Sequence, residues 1–319
     1  MSEIKQRWRL VFARSAEAQF LSHLDAVRLW ERAFRRGGIP VARSEGFSPR
    51  PKIVFAAPLP LGMLAEHELA DLFLEERLTL PDLRARLSGG MPRGYRVVDL
   101  HDVWIGAPAL APQLAAADYR MTLLHVKQEE LEAACRRLLA AERLPRERHR
   151  ESRKVSYDLR PLLLDLQARA AEPAALVSDP GMPAAGLWMR VRHSQERGSG
   201  RAEEVVAALA DEMGLAVRMA AGEGHRGTDL GIDESGAIPQ PQGAPRESGA
   251  GGVIGVARSG PRDAQSRPAS SHELTGRPPL EAIRAVRERL WLVDELPTQE
   301  RPKDVRSLGG QDGDTAWGR

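Results

Sequence analysis

The chain has 319 residues, and its 42% hydrophobic and 28% charged content is typical of a globular protein with one large or two smaller domains. A single cysteine, Cys135, excludes a disulfide framework, and it cannot by itself hold an iron–sulfur cluster or a four-cysteine zinc site. The net charge of +2 is uneven: residues 1–60 carry 11 Lys and Arg against 5 Asp and Glu, an N-terminal excess that indicates an anionic partner.

The N-terminal sequence MSEIKQRWRL is polar and lacks the apolar core of a signal peptide. No run of about 18 apolar residues occurs, so no membrane span is expected. Cytoplasm is therefore the predicted location.

The first elements predicted in the chain are a strand at residues 8–13 and a helix that runs to about Arg36. Ser22 is expected to be the N-cap of this helix, and Asp25 three residues later completes a capping-box pattern. The Gly37-Gly38 pair is expected to end the helix, because glycine readily adopts the left-handed conformation found at helix C-termini.

This first helix has two contrasting faces at about 100° per residue. The apolar face consists of Val27, Trp30 and Phe34, with Leu24 at its margin. The opposite face carries four arginines, Arg28, Arg32, Arg35 and Arg36. Two interpretations stay open, since the arginines form either a solvated face, partly paired by Glu31 with Arg35, or a binding surface for phosphates.

Residues 46–52 read GFSPRPK and predict a stiff, basic turn. Each proline restricts its own φ and extends the residue before it, so Arg50 and Lys52 should project from a pre-ordered strip towards an anion. Phe47 either stacks on a base or anchors the turn in the core. The supporting backbone donors are expected near Gly46 and Ser48.

Further strands are predicted at residues 39–42, 52–56, 68–75 and 95–100, with a helix at 80–87. The resulting order β-α-β-β-β-α-β favours a ferredoxin-like α+β sandwich with an extra hairpin strand. After a connector at 103–112, a second set of strands is predicted at residues 117–125, 154–159 and 186–192. The second set of helices is predicted at 128–142 and 202–213, with a helical segment after Pro161.

The predicted fold class is α+β, with two ferredoxin-like-type α/β sandwich halves. The first domain covers residues 1–102 and the second covers residues 113–219. Residues 220–278 are rich in Gly, Pro, Ser and Arg and predict a disordered linker. A short C-terminal helix or strand follows at 279–298, and residues 299–319 form a tail.

Few residues have the spacing that catalysis requires. His23 lies in the first helical turn, either as a partly buried, hydrogen-bonded histidine or as a proton-transfer residue. Glu68 and Asp71 should point to opposite faces of one strand, which favours a charged edge strand over an acid/base pair. The basic run from Arg146 to Lys154 is interpreted as a solvated loop or a second polyanion contact. No metal spacing and no cofactor motif occur, so neither ligand is expected.

Residues 20–62, FLSHLDAVRLWERAFRRGGIPVARSEGFSPRPKIVFAAPLPLG, closely resemble the radical SAM-linked, or radical SAM-associated, protein family (DUF2344). The shared pattern is SHLD, an arginine-rich helix, a GFxPxPK turn and LPLG. Arg50 stands where the family often has His, which suits anion binding but not a pocket that needs imidazole.

Two later segments extend the resemblance to about residues 5–220. Residues 157–161 resemble the family's DLRP segment and bring in Asp158 and Arg160 as supporting residues. Residues 200–205 resemble its G-x-R-P-x-E-V segment, with Ala202 in place of proline. The resemblance implies a radical SAM, cobalamin-binding-domain protein as partner, with the cluster chemistry in that partner.

The expected function is that of an accessory or substrate-binding protein that acts with this partner on RNA or another anionic substrate. The expected phosphate contacts are Arg28, Arg32, Arg36, Arg50 and Lys52, with Ser48 holding the turn and His23 at the edge of the site. One alternative is an RNA-processing or RNA-modifying enzyme that uses His23 as general acid/base. The other is a protein-docking module without nucleic-acid binding.

Overall fold

The fold is built around one large β-sheet with helices on one of its faces. The computed structural model describes residues 3–296, except for Gly46, Ser48 and residues 151–152, 173–180, 195–197 and 220–277. The linker predicted at 220–278, apart from its last residue, and the tail predicted at 299–319 therefore lie outside the described residues. No helix in the described part is long and apolar enough to cross a membrane.

The first half of the chain forms the predicted ferredoxin-like unit. Its elements are β1 (Gln6–Arg14), α1 (His23–Arg36), β2 (Ile53–Phe55), β3 (Leu64–Leu74), α2 (Leu80–Gly90) and β4 (Tyr95–Val103). These strands are antiparallel neighbours in the order β4-β1-β3-β2. That is the strand order of a βαββαβ unit, so the predicted fold of this half is confirmed. The strand predicted at 39–42 is reduced to an isolated bridge between Val41 and Leu74.

The second half repeats the arrangement with additional short strands. Its elements in chain order are β5 (Leu114–Leu124), α3 (Gln128–Ala140), β6 (Pro145–Arg150), β7 (Arg153–Asp158), β8 (Leu163–Arg169), β9 (Ala184–Ser194), β10 (Gly198–Ser199), α4 (Ala202–Glu212), β11 (Val217–Met219) and β12 (Leu280–Leu292). The antiparallel order β12-β5-β9-β8 matches that of the first half. Both predicted halves are therefore present, and β12 completes the second one.

Two local predictions in this half are wrong. The helical segment predicted after Pro161 is a single 3-10 turn at Arg160–Leu162, and β8 follows it directly. The basic run predicted as a loop forms a hairpin of β6 and β7 that makes a separate two-stranded sheet.

The C-terminal segment is a strand, although its sequence allows a helix or a helix leading into a strand. The apolar residues Leu280, Ile283, Val286 and Leu290 recur at a spacing near the helical period. In the structure the pairing of β12 with β5 shifts register after Ile283, after Arg287 and after Trp291. Each irregularity changes which face the next residues occupy, so the strand lacks strict alternation.

β12 also joins the two halves into one sheet. It pairs antiparallel with β5 on one side and parallel with β3 on the other. β3 consequently lies inside the sheet, and the interpretation of its carboxylates as edge-strand charges is wrong. Glu68 and Asp71 do point to opposite faces, as predicted: Glu68 meets Arg287 and Asp71 meets Arg7.

The two helical pairs bury most of the apolar surface on one face of the sheet. The core under α1 and α2 includes Trp8, Leu10, Trp30, Phe34, Leu72 and Leu83. The core under α3 and α4 includes Met121, Leu131, Leu138, Met189, Val205 and Leu209. The other face carries charged pairs such as Asp118 with Arg190, and Arg7 there donates to the carbonyls of Ala107 and Pro108 in the connector between the halves.

Candidate functional site

Helix α1 forms because local signals define both of its ends. The Ser22 hydroxyl accepts the Asp25 N–H at 3.2 Å and donates to the Asp25 carboxylate at 2.7 Å, which confirms the predicted cap. At the C-terminal end Gly38 takes the left-handed conformation with φ of 60°. The apolar side of the helix is buried through Val27, Trp30 and Phe34. The opposite side of the helix faces solvent.

Four arginines of α1 are exposed, and we call the three that lie along one line of its outer side, Arg28, Arg32 and Arg35, the arginine row. Arg28 lies 3.5 Å from Asp25, and both side chains are more than half exposed, so this pair is weak. Arg32 and Arg35 have no side-chain partner within the described residues. The predicted Glu31–Arg35 pair is not formed, and one carboxylate oxygen of Glu31 is buried there without a partner in the described part. Within the described residues, carboxylates therefore neutralise little of the positive charge of the row.

Arg36 is used differently from the other arginines of α1. Its guanidinium donates to the Gly90 carbonyl at 2.9 Å, at the C-terminal end of α2. This contact ties the ends of the two helices together and neutralises a helix-end carbonyl. Arg36 is exposed as well, but part of its donor capacity is used by this bond, and Arg35 lies closer to the line of Arg28 and Arg32.

The GFSPRPK segment closes a hairpin-like loop next to β2. Two hydrogen bonds join Ser44 and Arg50. The Ser44 N–H donates to the Arg50 carbonyl at 2.8 Å, and the Arg50 N–H donates to the Ser44 hydroxyl at 3.1 Å. Phe47 is fully exposed, so the interpretation that it anchors the turn in the core is wrong. Arg50 is also exposed. Gly46 and Ser48, which were predicted to supply backbone donors, lie outside the described residues.

Lys52 is not brought together with the arginine row. Its carbonyl accepts the N–H of Phe73 at 3.2 Å, and its ammonium lies 4.8 Å from the centre of the Phe73 ring. The guanidinium of Arg7 also lies over the Phe73 ring, on the sheet face opposite to α1. The pairing of residue 52 with β3 therefore places this cation on one side of the sheet and the arginine row on the other.

His23 is half-buried at the start of α1. Its ring meets Phe55 edge-on, with 5.6 Å between ring centres, and no hydrogen bond to the imidazole is found within the described residues. Burial lowers the pKa of His23, so the ring is neutral at pH 7. The histidine is therefore partly buried as predicted, but it is held by an aromatic contact.

A loop that precedes β3 is clamped against the segment before α1. Arg14 is buried and donates to the carbonyls of Pro60 at 2.7 Å and Met63 at 3.1 Å, while Leu21 accepts at 3.5 Å. The N–H of Gly62 adds a bond to the Gln19 carbonyl at 2.8 Å. The FLSHLD and LPLG motifs thus meet in space, a contact that no local pattern in the sequence indicates.

A buried polar cluster lies between the two helical pairs. Arg287 donates to Glu68 at 2.6 Å, and both side chains are 2% exposed. The same guanidinium reaches the carbonyls of Ala57 and Pro58. Burial raises the pKa of Tyr119, which hydrogen-bonds Arg287 from β5. Sequence reasoning missed this cluster, because Arg287 and Glu68 are 219 residues apart in the chain.

The supporting residues of the second half hold local structure. Asp158 accepts the N–H groups of Leu144 at 2.7 Å and Arg160 at 3.0 Å, and these bonds lower the pKa of its carboxyl group. Arg160 donates to the carbonyls of Leu139 and Leu163, each at 2.9 Å. Both residues therefore fix the hairpin of β6 and β7 to α3, at a distance in the fold from the arginine row.

Metal ligation receives no support from the described residues, which contain no group of three or more His, Cys, Asp or Glu side chains able to hold an ion. Cys135 is buried on α3, and burial raises the pKa of its thiol to about 12. The thiol is therefore protonated at neutral pH and a poor nucleophile or ligand.

Comparison with known proteins finds a family match over more than half of the chain. A family described as "Uncharacterized protein conserved in bacteria (DUF2344)" matches residues 7–197. Among the curated proteins no match is found. A solved structure described as an unknown protein from Galdieria sulphuraria is 14% identical and covers 65% of this chain and 91% of its own, with a TM-score of 0.21.

Proposed function

The chain belongs to the family of uncharacterized proteins conserved in bacteria (DUF2344), and for this member we propose an accessory role in which it binds RNA, or another anionic substrate, through the arginine row of α1. Arg28 and Arg32 contact phosphates directly, and Arg35 extends the row towards the end of the helix. Arginine suits this task because its planar fork can donate two parallel bonds to a phosphate.

The proposal depends on one observation: among the described residues, few carboxylates neutralise the arginines of this helix. Arg32 and Arg35 are exposed and have no carboxylate partner among the described residues, whereas most arginines of the sheet, such as Arg7, Arg120 and Arg190, are paired. The first 60 residues also hold 11 cationic against 5 anionic side chains. A concentrated positive surface of this kind attracts a polyanion and raises its local concentration.

The GFSPRPK turn has a secondary part in this proposal. Arg50 is exposed and is available for a further phosphate contact. Lys52 faces away from α1, so it contributes to the general positive field and does not contact the same phosphate as the row. Binding of a polyanion does not require all the cations to contact the same phosphate, because each cation releases counterions independently of the others.

A radical SAM protein is the proposed partner, and this part rests on the resemblance of residues 20–62 to radical SAM-linked proteins. In that arrangement the partner supplies the chemistry and this chain presents the substrate. Affinity capture with the purified chain, followed by identification of bound proteins, tests the pairing. Capture of unrelated proteins without any radical SAM protein would contradict it.

An RNA-processing enzyme is the second candidate, because burial lowers the pKa of His23 and leaves the imidazole neutral and able to accept a proton. RNA cleavage or modification by the purified chain alone, lost in His23→Ala, would favour this candidate. A chain that binds RNA but leaves it unchanged would contradict it.

The first test is the salt dependence of RNA binding. Replacing the row by Arg28→Ala, Arg32→Ala and Arg35→Ala together should weaken binding of a short labelled RNA and reduce the log–log salt slope by about 2, since each lost single-strand contact contributes about 0.7. Fluorescence anisotropy between about 50 and 200 mM salt measures both quantities.

The matched control removes three exposed arginines from the second half, by Arg136→Ala, Arg143→Ala and Arg218→Ala. It changes the net charge by the same amount and should leave the slope nearly unchanged. Equal affinity and slope for the folded row variant and the natural chain would contradict RNA binding at α1. Complete absence of RNA binding would instead favour a protein-docking module.

A further inference from the structure

An exposed apolar patch adjoins the N-terminal end of the arginine row. Phe20 is 61% exposed, Leu24 is 36% exposed and Leu61 is 39% exposed. Leu24 lies four residues before Arg28, and residues with this spacing are neighbours on one side of a helix. Leu24 therefore places an exposed apolar side chain next to the row at the start of α1.

The patch is assembled by contacts between two separate segments. The N–H of Gly62 bonds to the carbonyl of Gln19, which directly precedes Phe20. The buried guanidinium of Arg14 bonds to the carbonyls of Leu21 and Pro60, which flank Phe20 and Leu61 in the chain. These bonds, one between backbones and two from the Arg14 side chain, fix the backbones of the two segments that carry the patch.

Phe20 has no role in the core. Its neighbour Leu21 packs against the cluster under α1 and α2 and anchors the entry to the helix. Phe20 itself leaves most of its ring in solvent, at a cost that the fold does not require. A large exposed aromatic ring close in the chain to a row of arginines with few carboxylate partners among the described residues is a combination typical of proteins that bind single-stranded nucleic acid.

We propose that this surface is built for single-stranded RNA, with one unpaired base stacked on Phe20 and supported by Leu24 and Leu61. This inference rests on the proposed function, because it needs the arginine row to contact the flanking phosphates. A duplex keeps its bases paired inside the helix and offers only phosphates and grooves, so it cannot use the ring. The substrate class is therefore an unpaired loop or strand.

The experiment compares three probes on the same protein variants. The probes are a labelled single-stranded RNA, a duplex made from that strand and its complement, and inorganic polyphosphate as competitor. Phe20→Ala should weaken binding of the single strand by between about fivefold and a hundredfold, the range expected for losing one stacked base. It should leave duplex and polyphosphate binding unchanged. Phe20→Tyr keeps an aromatic ring and should restore the affinity for the single strand.

Trp104→Ala is the matched control, since it removes another exposed aromatic ring, in the connector after β4 and outside both α1 and the GFSPRPK loop. It should not change the preference for the single strand. The variant with all three row arginines replaced should weaken binding of all three probes. Because Phe20 is exposed, circular dichroism and thermal unfolding should show that Phe20→Ala folds like the natural chain.

The outcomes separate this inference from the proposed function. If the natural chain binds single strand and duplex equally well and Phe20→Ala changes neither, stacking is wrong while phosphate binding by the row stands. If the natural chain binds none of the probes, both proposals fail. If Phe20→Ala weakens the binding of all three probes equally, the ring does not act by stacking on an unpaired base, and the single-strand inference is overturned.

Discussion

His193 shows how strongly the interior of this protein acts on a single side chain. It lies on β9, and its Nδ1 atom is buried without a hydrogen-bond partner in the described part of the chain. Burial, together with the positive charge of Arg287, lowers its pKa to about 4. Between pH 6.5 and about 4, where the imidazole of an unfolded chain is mostly protonated, the ring in the folded protein therefore stays mostly neutral.

This shift predicts that acidification destabilises the fold. Between pH 6.5 and about 4 the unfolded chain binds a proton at residue 193 and the folded chain does not, so stability rises with pH in this window and falls as pH decreases. From pH 7 to pH 5 this residue alone should lower the free energy of unfolding by about 2 kcal/mol. His23 acts in the same direction, since burial lowers its pKa as well.

Urea unfolding at the two pH values measures the effect, and His193→Gln provides the comparison. The variant should lose about 2 kcal/mol less than the natural chain between pH 7 and pH 5. An equal loss in both proteins would show that residue 193 titrates normally in the folded state.

At the scale of elements, the crossing of α1 and α2 depends on two glycines at a point of close approach. A Cβ atom on Gly90 would lie 2.7 Å from the Ala33 carbonyl oxygen, and one on Gly37 would lie 2.6 Å from the Arg86 carbonyl oxygen. Gly37 has an ordinary φ of −75°, so proximity and not backbone freedom explains the glycine there. The sequence suggested only a helix stop at this position.

Gly90→Ala should therefore destabilise the protein by about 1–3 kcal/mol, because the added methyl group forces the two helices apart. Gly89→Ala is the matched control in the same helix, where a Cβ would meet nothing within 4 Å. That control should be neutral or stabilising by up to about 1 kcal/mol, since alanine is the better helix former. Thermal unfolding of the two variants compares them, and equal melting temperatures would contradict the close packing.

At the scale of the whole molecule, the two halves share β12 and a buried ion pair. β12 belongs to the second half by topology and lies beside β3 of the first. From this strand Arg287 reaches Glu68 and the carbonyls of Ala57 and Pro58 in the loop before β3. Burial acts to lower the pKa of Arg287, but the negative charge of Glu68 outweighs it and raises the pKa, so the guanidinium stays charged.

Removing one member of this pair should cost far more than removing both. Arg287→Met leaves the Glu68 carboxylate buried without its partner and should lower the free energy of unfolding by about 3–5 kcal/mol. Adding Glu68→Leu to that variant should recover most of the loss, because no buried charge is left. Urea unfolding of the single and double variants completes the cycle, and additive losses would show that the two charges do not interact.

The sequence by itself determined the elements whose signals are local. The Ser22 cap, the 3.6-residue period of α1 and the α-β order of each half depend on neighbouring residues, so the helices, most strands and the ferredoxin-like halves were predictable. The exposed arginines of α1 followed from the same period. The bond of Arg36 to the Gly90 carbonyl could not be predicted in this way, because that carbonyl belongs to another helix.

Only the tertiary structure decided which of these residues meet. Pairing with β3 sets the face on which Lys52 lies, and the irregular pairing of β12 makes a strand of a segment with helical spacing. The bonds of Arg14 bring the segment of Phe20 to the loop of Leu61. The physical reason is the same in each case: these contacts join residues far apart in the chain, and their energy depends on burial and partners that no short stretch of sequence contains.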